Sequence, residues 1–238
     1  MTDQVGLARF YREGHETYVL EQENIDTYWD NNYDLDDPKG WEQRYIHETV
    51  LISNVIDKHG VKNILELGSG PGTLGNKVLD KYPNIIYDRV DGSSALAAYK
   101  RRQYKGRKFL VKDMWDSFDT DGLEREYDLV VMNDFLEHIR NPSLIIDTCR
   151  NKLMTEPYFM FISVPNWRTK HHFIYPGLFD FDNFCKFMMF EGFSLSDQGP
   201  TWSDHVPLQN PRLANVETTL PQKHVYDWNW YLLFKLNT

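Results

Sequence analysis

From residue 61 onward, short apolar runs alternate with amphipathic stretches, and this alternation limits the possible folds more than any other feature of the chain. The segments NILELG, GTLGNKVLDKY, IIYDRVDG, SSALAAYKRRQY, KFLVKD, YDLVVMND, PSLIIDTCRNKL and YFMFISVPN succeed one another in that rhythm. Strand, helix and strand in succession call for right-handed crossovers, and so for a doubly wound, mostly parallel α/β sheet with helices on both faces. Ligands of such sheets bind at the carboxyl ends of the strands, where the strand order reverses. Upstream, Trp41 to His59 sets Tyr45, Val50, Leu51, Ile52, Val55 and Ile56 at helical spacing and stops at Gly60. Downstream, a helix is expected at Asp182–Glu191, with strands around Phe193–Asp197 and Trp228–Leu236. Phe179, Phe181, Phe184, Phe187 and Phe190 fit its buried face and entry.

With 238 residues, 41% hydrophobic and 26% charged, the chain has the profile of a soluble globular protein large enough for a full core. Its two cysteines, Cys149 and Cys185, exclude a disulfide framework and point to a reducing, cytoplasmic setting. No stretch approaches the ~20 apolar residues of a membrane span. The net charge of -9 is unevenly placed: residues 1–60 hold 13 acids and 5 bases, residues 61–238 hold 22 and 21. An acidic leader argues against a protein that embraces nucleic acid, which requires Lys and Arg against phosphate. Residues 1–40, with Tyr18, Tyr28, Trp29 and Tyr33 among acids, read as a short helix and an irregular lid or docking segment. The expected organisation is one domain: the lid over 1–40, a cofactor-binding core over 41–165, and a substrate-side loop, helix and final strands over 166–238.

At Ile64-Leu65-Glu66-Leu67-Gly68-Ser69-Gly70-Pro71-Gly72 an apolar strand runs into three alternating glycines and then a helix. Glycines there permit positive φ and close approach of a ligand, and the helix offers unpaired N–H groups. The spacing is Gly-x-Gly-x-Gly, not the Gly-x-Gly-x-x-Gly of dinucleotide folds. Glu66 would repel a pyrophosphate but suits a ligand bearing a sulfonium and an ammonium. The ligand this favours is S-adenosylmethionine.

In register through about residues 45–165, the chain resembles the class I S-adenosylmethionine-dependent methyltransferases. The resemblance implies a Rossmann-like sheet of seven strands. It also implies that Glu66, Gly68, Ser69, Gly70 and Gly72 hold the methionine part of the cofactor. In RVDGSS, Asp91 would bind both ribose hydroxyls, flanked by Gly92 and Ser93; Asp88, inside the strand pattern, reads instead as solvent-facing. In KFLVKDMW, Asp113 would accept from the adenine amino group, beside Met114 and Trp115. In YDLVVMNDFLEHIRNP, Asn133 and Asp134 would lie under the methyl group, with Glu137 and His138 one turn further on.

Methyl transfer is an in-line displacement that mainly needs alignment, with a general base only where the acceptor is protonated. The catalytic candidates are His138, Asp134 and His171, and a bracing role for His138 stays open. Asp134-Phe135-Leu136-Glu137-His138 also resembles the Glu-x-x-Glu-His of ubiquinone-biosynthesis O-methyltransferases, the nearest group in motif style. No further acid cluster accompanies it, and a divalent metal is not expected. Arg168, His172 and Tyr175 after the fifth strand, with Tyr28 and Trp29 from the leader, are the expected substrate contacts. The basic run Lys100, Arg101, Arg102, Lys105, Arg107, Lys108 and Lys112 reads as a solvated helix face at the far edge, not a nucleic-acid footprint. The expected activity is methylation of an O or N atom of a small molecule, with S-adenosylhomocysteine as product. A protein or peptide acceptor docked by the acidic leader, and a non-catalytic cofactor-binding module, are the alternatives.

Overall fold

The computed structural model describes residues 38–70, 72–92, 106–112, 114, 118–124, 126–164, 178–179, 181–202 and 229–237. Helix α1, Pro38–His59, opens on a proline that a first turn tolerates because its missing N–H would have no partner there. It begins three residues before the expected Trp41. Tyr45, Ile52, Val55 and Ile56 form its buried stripe, and the Gly60 N–H closes it on the Ile56 carbonyl at 2.8 Å. The chain then enters β1, Asn63–Leu67, whose start is fixed by the Asp128 carboxylate accepting from the Lys62 and Asn63 amides.

The remaining elements are α2 (Thr73–Lys81), β2 (Ile86–Asp91), β3 (Lys108–Val111), β4 (Tyr127–Asn133), α3 (Pro142–Thr148), β5 (Met154–Val164), α4 (Phe181–Phe190), β6 (Phe193–Trp202) and β7 (Asn229–Leu236). Strand order is β3-β2-β1-β4-β5-β7-β6. The pairs from β3 through β5 are parallel, while β7 runs antiparallel to both its neighbours. This is the expected seven-stranded, mostly parallel sheet, with its order reversing between β1 and β4.

Both faces are apolar, and the two-residue period of a strand divides them. Along β4, Leu129 and Val131 join Ile52, Ile64, Val78 and Phe161 on the α1–α2 side. Val130 and Met132 join Leu65, Val90, Ile162 and Phe184 on the α3–α4 side. Asn141 caps α3 by accepting from the Leu144 amide at 3.1 Å, and Pro142 fills its first turn. The stretch expected as one helix, PSLIIDTCRNKL, passes after Thr148 into a wider π turn at Cys149–Leu153.

Several expectations are corrected. Strand β5 starts at Met154 instead of Tyr158, and β6 runs to Trp202 through two irregularities. Phe179, Phe184 and Phe187 are core, but Phe190 is 65% exposed at the end of α4 and Phe181 is only partly buried. Asp88, expected to face solvent, is 0% exposed. It lies on β2 between β1 and β3, where a polar residue in the alternation meets neighbouring strands and their side chains instead of water. The Tyr127 hydroxyl donates to it at 2.6 Å and Arg107 pairs with it. Arg107, Lys108 and Lys112 are likewise not a bare solvated face, since they pair with Asp88 and Glu126, with Glu124, and with Asp119 respectively.

Candidate active site

The glycine loop leaves β1 at the carboxyl edge of the sheet, beside the point of order reversal. Gly68, Gly70 and Gly72 all have positive φ, at 68°, 48° and 75°. The requirement for glycine is most concrete at Gly68, where a β-carbon would lie 2.5 Å from the Phe135 ring. The loop is pinned to β2: the Gly68 amide donates to the Val90 carbonyl at 2.9 Å, and the Gly70 amide to Asp91 Oδ2 at 2.7 Å. Asp91 therefore holds the loop from the end of β2 while standing where the ribose acid was expected. Gly92 beside it is exposed.

A second group of residues comes from the end of β4. Asn133 and Asp134 are partly exposed, and among the described residues Asp134 is the non-glycine residue with positive φ, at 45°, its amide donating to the Ser163 carbonyl at 3.0 Å. Sparsely populated backbone of this kind gathers at functional sites. A short turn, Leu136–His138, follows, with its last amide on the Phe135 carbonyl. His138 is 12% exposed, and its Nε2 stands 3.7 Å from Oε1 of the wholly buried Glu137. Phe135 and Leu136 sink into the α3–α4 core and tie this turn to Gly68 and to Met114, itself buried.

Thus Glu66, Gly68, Ser69, Gly70, Gly72, Asp91, Gly92, Met114, Asn133, Asp134 and His138 are gathered at one sheet edge. Ser93, Asp113, Trp115, His171, Tyr28, Trp29, Arg168, His172 and Tyr175 lie outside the described residues. Among the described residues, no group of three or more His, Cys, Asp or Glu side chains is placed to hold a metal.

Two features were not anticipated. The Phe135 ring fills the space beside Gly68. Arg89, 1% exposed, lies under the loop with its Nε 3.5 Å from Glu66 Oε2 and its Nη2 donating to Asn76 Oδ1 at 3.0 Å. The available signal for Arg89 was a lone cation in an apolar strand, together with glycines at both 72 and 75.

The sheet order, the glycine loop and the acid at the end of β2 give the fold of the class I S-adenosylmethionine-dependent methyltransferases. Residues 65–156, from β1 to the start of β5, match a family described as a methyltransferase domain. A tRNA1(Val) (adenine(37)-N6)-methyltransferase of Pedobacter heparinus is 30% identical over 113 residues, 44% of this chain and 47% of that protein. A malonyl-[acyl-carrier protein] O-methyltransferase 2 of Ilyobacter polytropus is 29% identical over 94 residues, 38% of this chain and 35% of that protein. The chain thus spans less than half the length of either relative. The plantazolicin methyltransferase BpumL, solved with S-adenosylhomocysteine, shares the fold at a TM-score of 0.58 and 14% identity over 91% of this chain and 90% of its own.

The residues present fit the cofactor. A loop of left-handed glycines at the carboxyl edge and a carboxylate at the end of β2 suit an amino acid laid along the backbone and a ribose that needs an acceptor.

Proposed function

We propose that the chain transfers a methyl group from S-adenosylmethionine to an oxygen or nitrogen atom of a small molecule. The charge of the carboxyl edge supports a small acceptor over a polyanionic one. Among the described residues, Glu66, Asp91, Asp134 and Glu137 gather there, against His138 and Arg140, with Arg89 already beside Glu66. At the opposite edge Arg107 and Lys108 are paired with acids, and Lys112, at the carboxyl end of β3 beside Asp91, is paired with Asp119. A phosphate backbone would meet repulsion at the first edge and neutralised cations at the second.

When bound, the cofactor supplies a methyl on a sulfonium, ready for in-line attack. The glycine loop, residues 68–72, would lie along its methionine end and Asp91 would accept from its ribose. Asn133 and Asp134 would line the floor beneath the methyl, and His138 would take the proton of an acceptor that carries one. Tyr28, Trp29, Arg168, His171, His172 and Tyr175 are assigned to the acceptor side, where the two segments that carry them would exclude water.

The test is S-adenosylhomocysteine release with the full chain, using separate pools of small hydroxyl and amino compounds, basic peptides and tRNA. Turnover confined to the small-molecule pools is expected. Turnover only on peptides or only on tRNA would replace this acceptor class, and cofactor binding without turnover on any pool would mark a non-catalytic module. On a protonated acceptor, His138→Ala should lower kcat by about 10²- to 10⁴-fold with cofactor affinity little changed. A parallel loss of thermal stability and rate would make His138 a brace.

A further inference from the structure

Arg89 is a cation enclosed by the elements that build the cofactor loop. In the parallel register of β1 and β2 it stands beside Glu66, with 3.5 Å between Nε and Oε2, and the two side chains are 1% and 2% exposed. Its guanidinium occupies space that two glycines leave open. A β-carbon on Gly72 would come within 2.5 Å of Nη1, and one on Gly75 within 2.5 Å of Nη2. Nη2 donates to Asn76 in the first turn of α2, and the guanidinium lies 5.2 Å from the Tyr87 ring centroid. Each contact falls on an element that carries the loop. Glu66 is two residues before Gly68, Gly72 caps α2, and Arg89 is two residues before Asp91, which takes the Gly70 amide.

A cation beneath the start of a helix opposes the helix dipole, and a buried cation without a counter-charge is strongly disfavoured. Glu66 answers both. Its carboxylate is therefore engaged inside the protein, and its link to the cofactor runs through the shape of the loop.

We infer that the buried Arg89–Glu66 pair is a positioning device for the cofactor loop, and that Glu66 acts on S-adenosylmethionine through Arg89 instead of by holding the cofactor's ammonium. This rests on the reading that the glycine loop carries the cofactor. The two roles predict opposite double-mutant behaviour. If Glu66 met the ammonium directly, Glu66→Gln would weaken binding to the same degree whatever stood at position 89. If it acts through Arg89, Glu66→Gln takes the negative charge from beside a buried cation under the loop, and removing that cation as well relieves the damage.

The experiment is calorimetric titration of the full-length chain with S-adenosylhomocysteine, comparing wild type, Asp91→Ala, Arg89→Lys, Glu66→Gln and Glu66→Gln/Arg89→Met, with thermal unfolding of each. We expect Glu66→Gln to weaken binding about ten-fold and the double variant to return to within about three-fold of wild type. Arg89→Lys, which keeps the charge, should stay close to wild type. A double variant that binds no more tightly than Glu66→Gln overturns the proposal. Failure of wild type to bind, or wild-type affinity in Asp91→Ala, would instead count against the cofactor reading of the loop.

Discussion

At Gly68 three strands meet: the residue ends β1, donates to the end of β2, and has the Phe135 ring from the end of β4 where its own β-carbon would stand. Alanine there would meet two penalties at once, a left-handed backbone and a contact with a ring already seated in the core. Gly68→Ala should lower unfolding free energy by roughly 2 to 4 kcal/mol, read from the urea midpoint at unchanged slope. A midpoint equal to wild type would mean that Phe135 moves aside freely. Asp134 is the complementary case, a residue with a side chain held at a φ of 45° that would suit glycine. Its position beside the proposed methyl site accords with backbone strain being kept where function uses it.

Among the elements, β3 is the exposed end of the sheet and has four residues. Besides its ladder to β2, it is held by a polar bracket at its base. Asp88 of β2 accepts from Arg107 just ahead of β3, Arg107 also reaches Glu126, and the Tyr127 hydroxyl of β4 passes over to Asp88. Burial pushes the Tyr127 hydroxyl above its ordinary pKa, and the Asp88 carboxylate pushes it further, so it stays a donor. Tyr127→Phe keeps the packing of β4 but removes that donor from a buried carboxylate, at an expected cost of about 1.5–3 kcal/mol. The local signature should be faster hydrogen exchange at Arg107 and Lys112, whose amides donate to the Tyr87 and Asp91 carbonyls of β2. Unchanged exchange at those amides would show that the ladder alone holds β3.

For the whole molecule, His59 gives stability a defined pH slope. It ends α1 with its ring 4.3 Å from that of Phe159. Its pKa is lowered from 6.5, first by burial and then by Lys58 and Lys235, against a smaller opposing effect of Asp197. The unfolded chain therefore binds the proton more readily than the folded one. The stability contributed by neutral His59 is fully present above the unfolded pKa and is lost as pH falls below about 6.5. His59→Phe should flatten this part of the profile, so that the wild-type denaturation midpoint drops more than the variant's between about pH 7.5 and about pH 5.5. Equal drops would place the slope in groups other than His59, and not in buried Asp128 or Glu191, whose carboxyls are raised by burial and so add stability as pH falls.

The order of strands and helices, the glycine loop and the acid closing β2 were all legible in the chain, because alternation, positive φ and strand ends are properties of a few consecutive residues. The burial of Asp88 was not, because it follows from β2 lying between two other strands, which no local pattern states. The pairing of Arg89 with Glu66 across 23 positions, and the placing of Phe135 against Gly68 across 67, likewise depend on which strands become neighbours. Phe190 kept the spacing of a core residue but stands 65% exposed as the last residue of α4. Local chemistry in the sequence determined where a cofactor could be received; the tertiary structure decided which buried charges and rings hold that site in shape, since burial and pairing exist only once the sheet has closed around them.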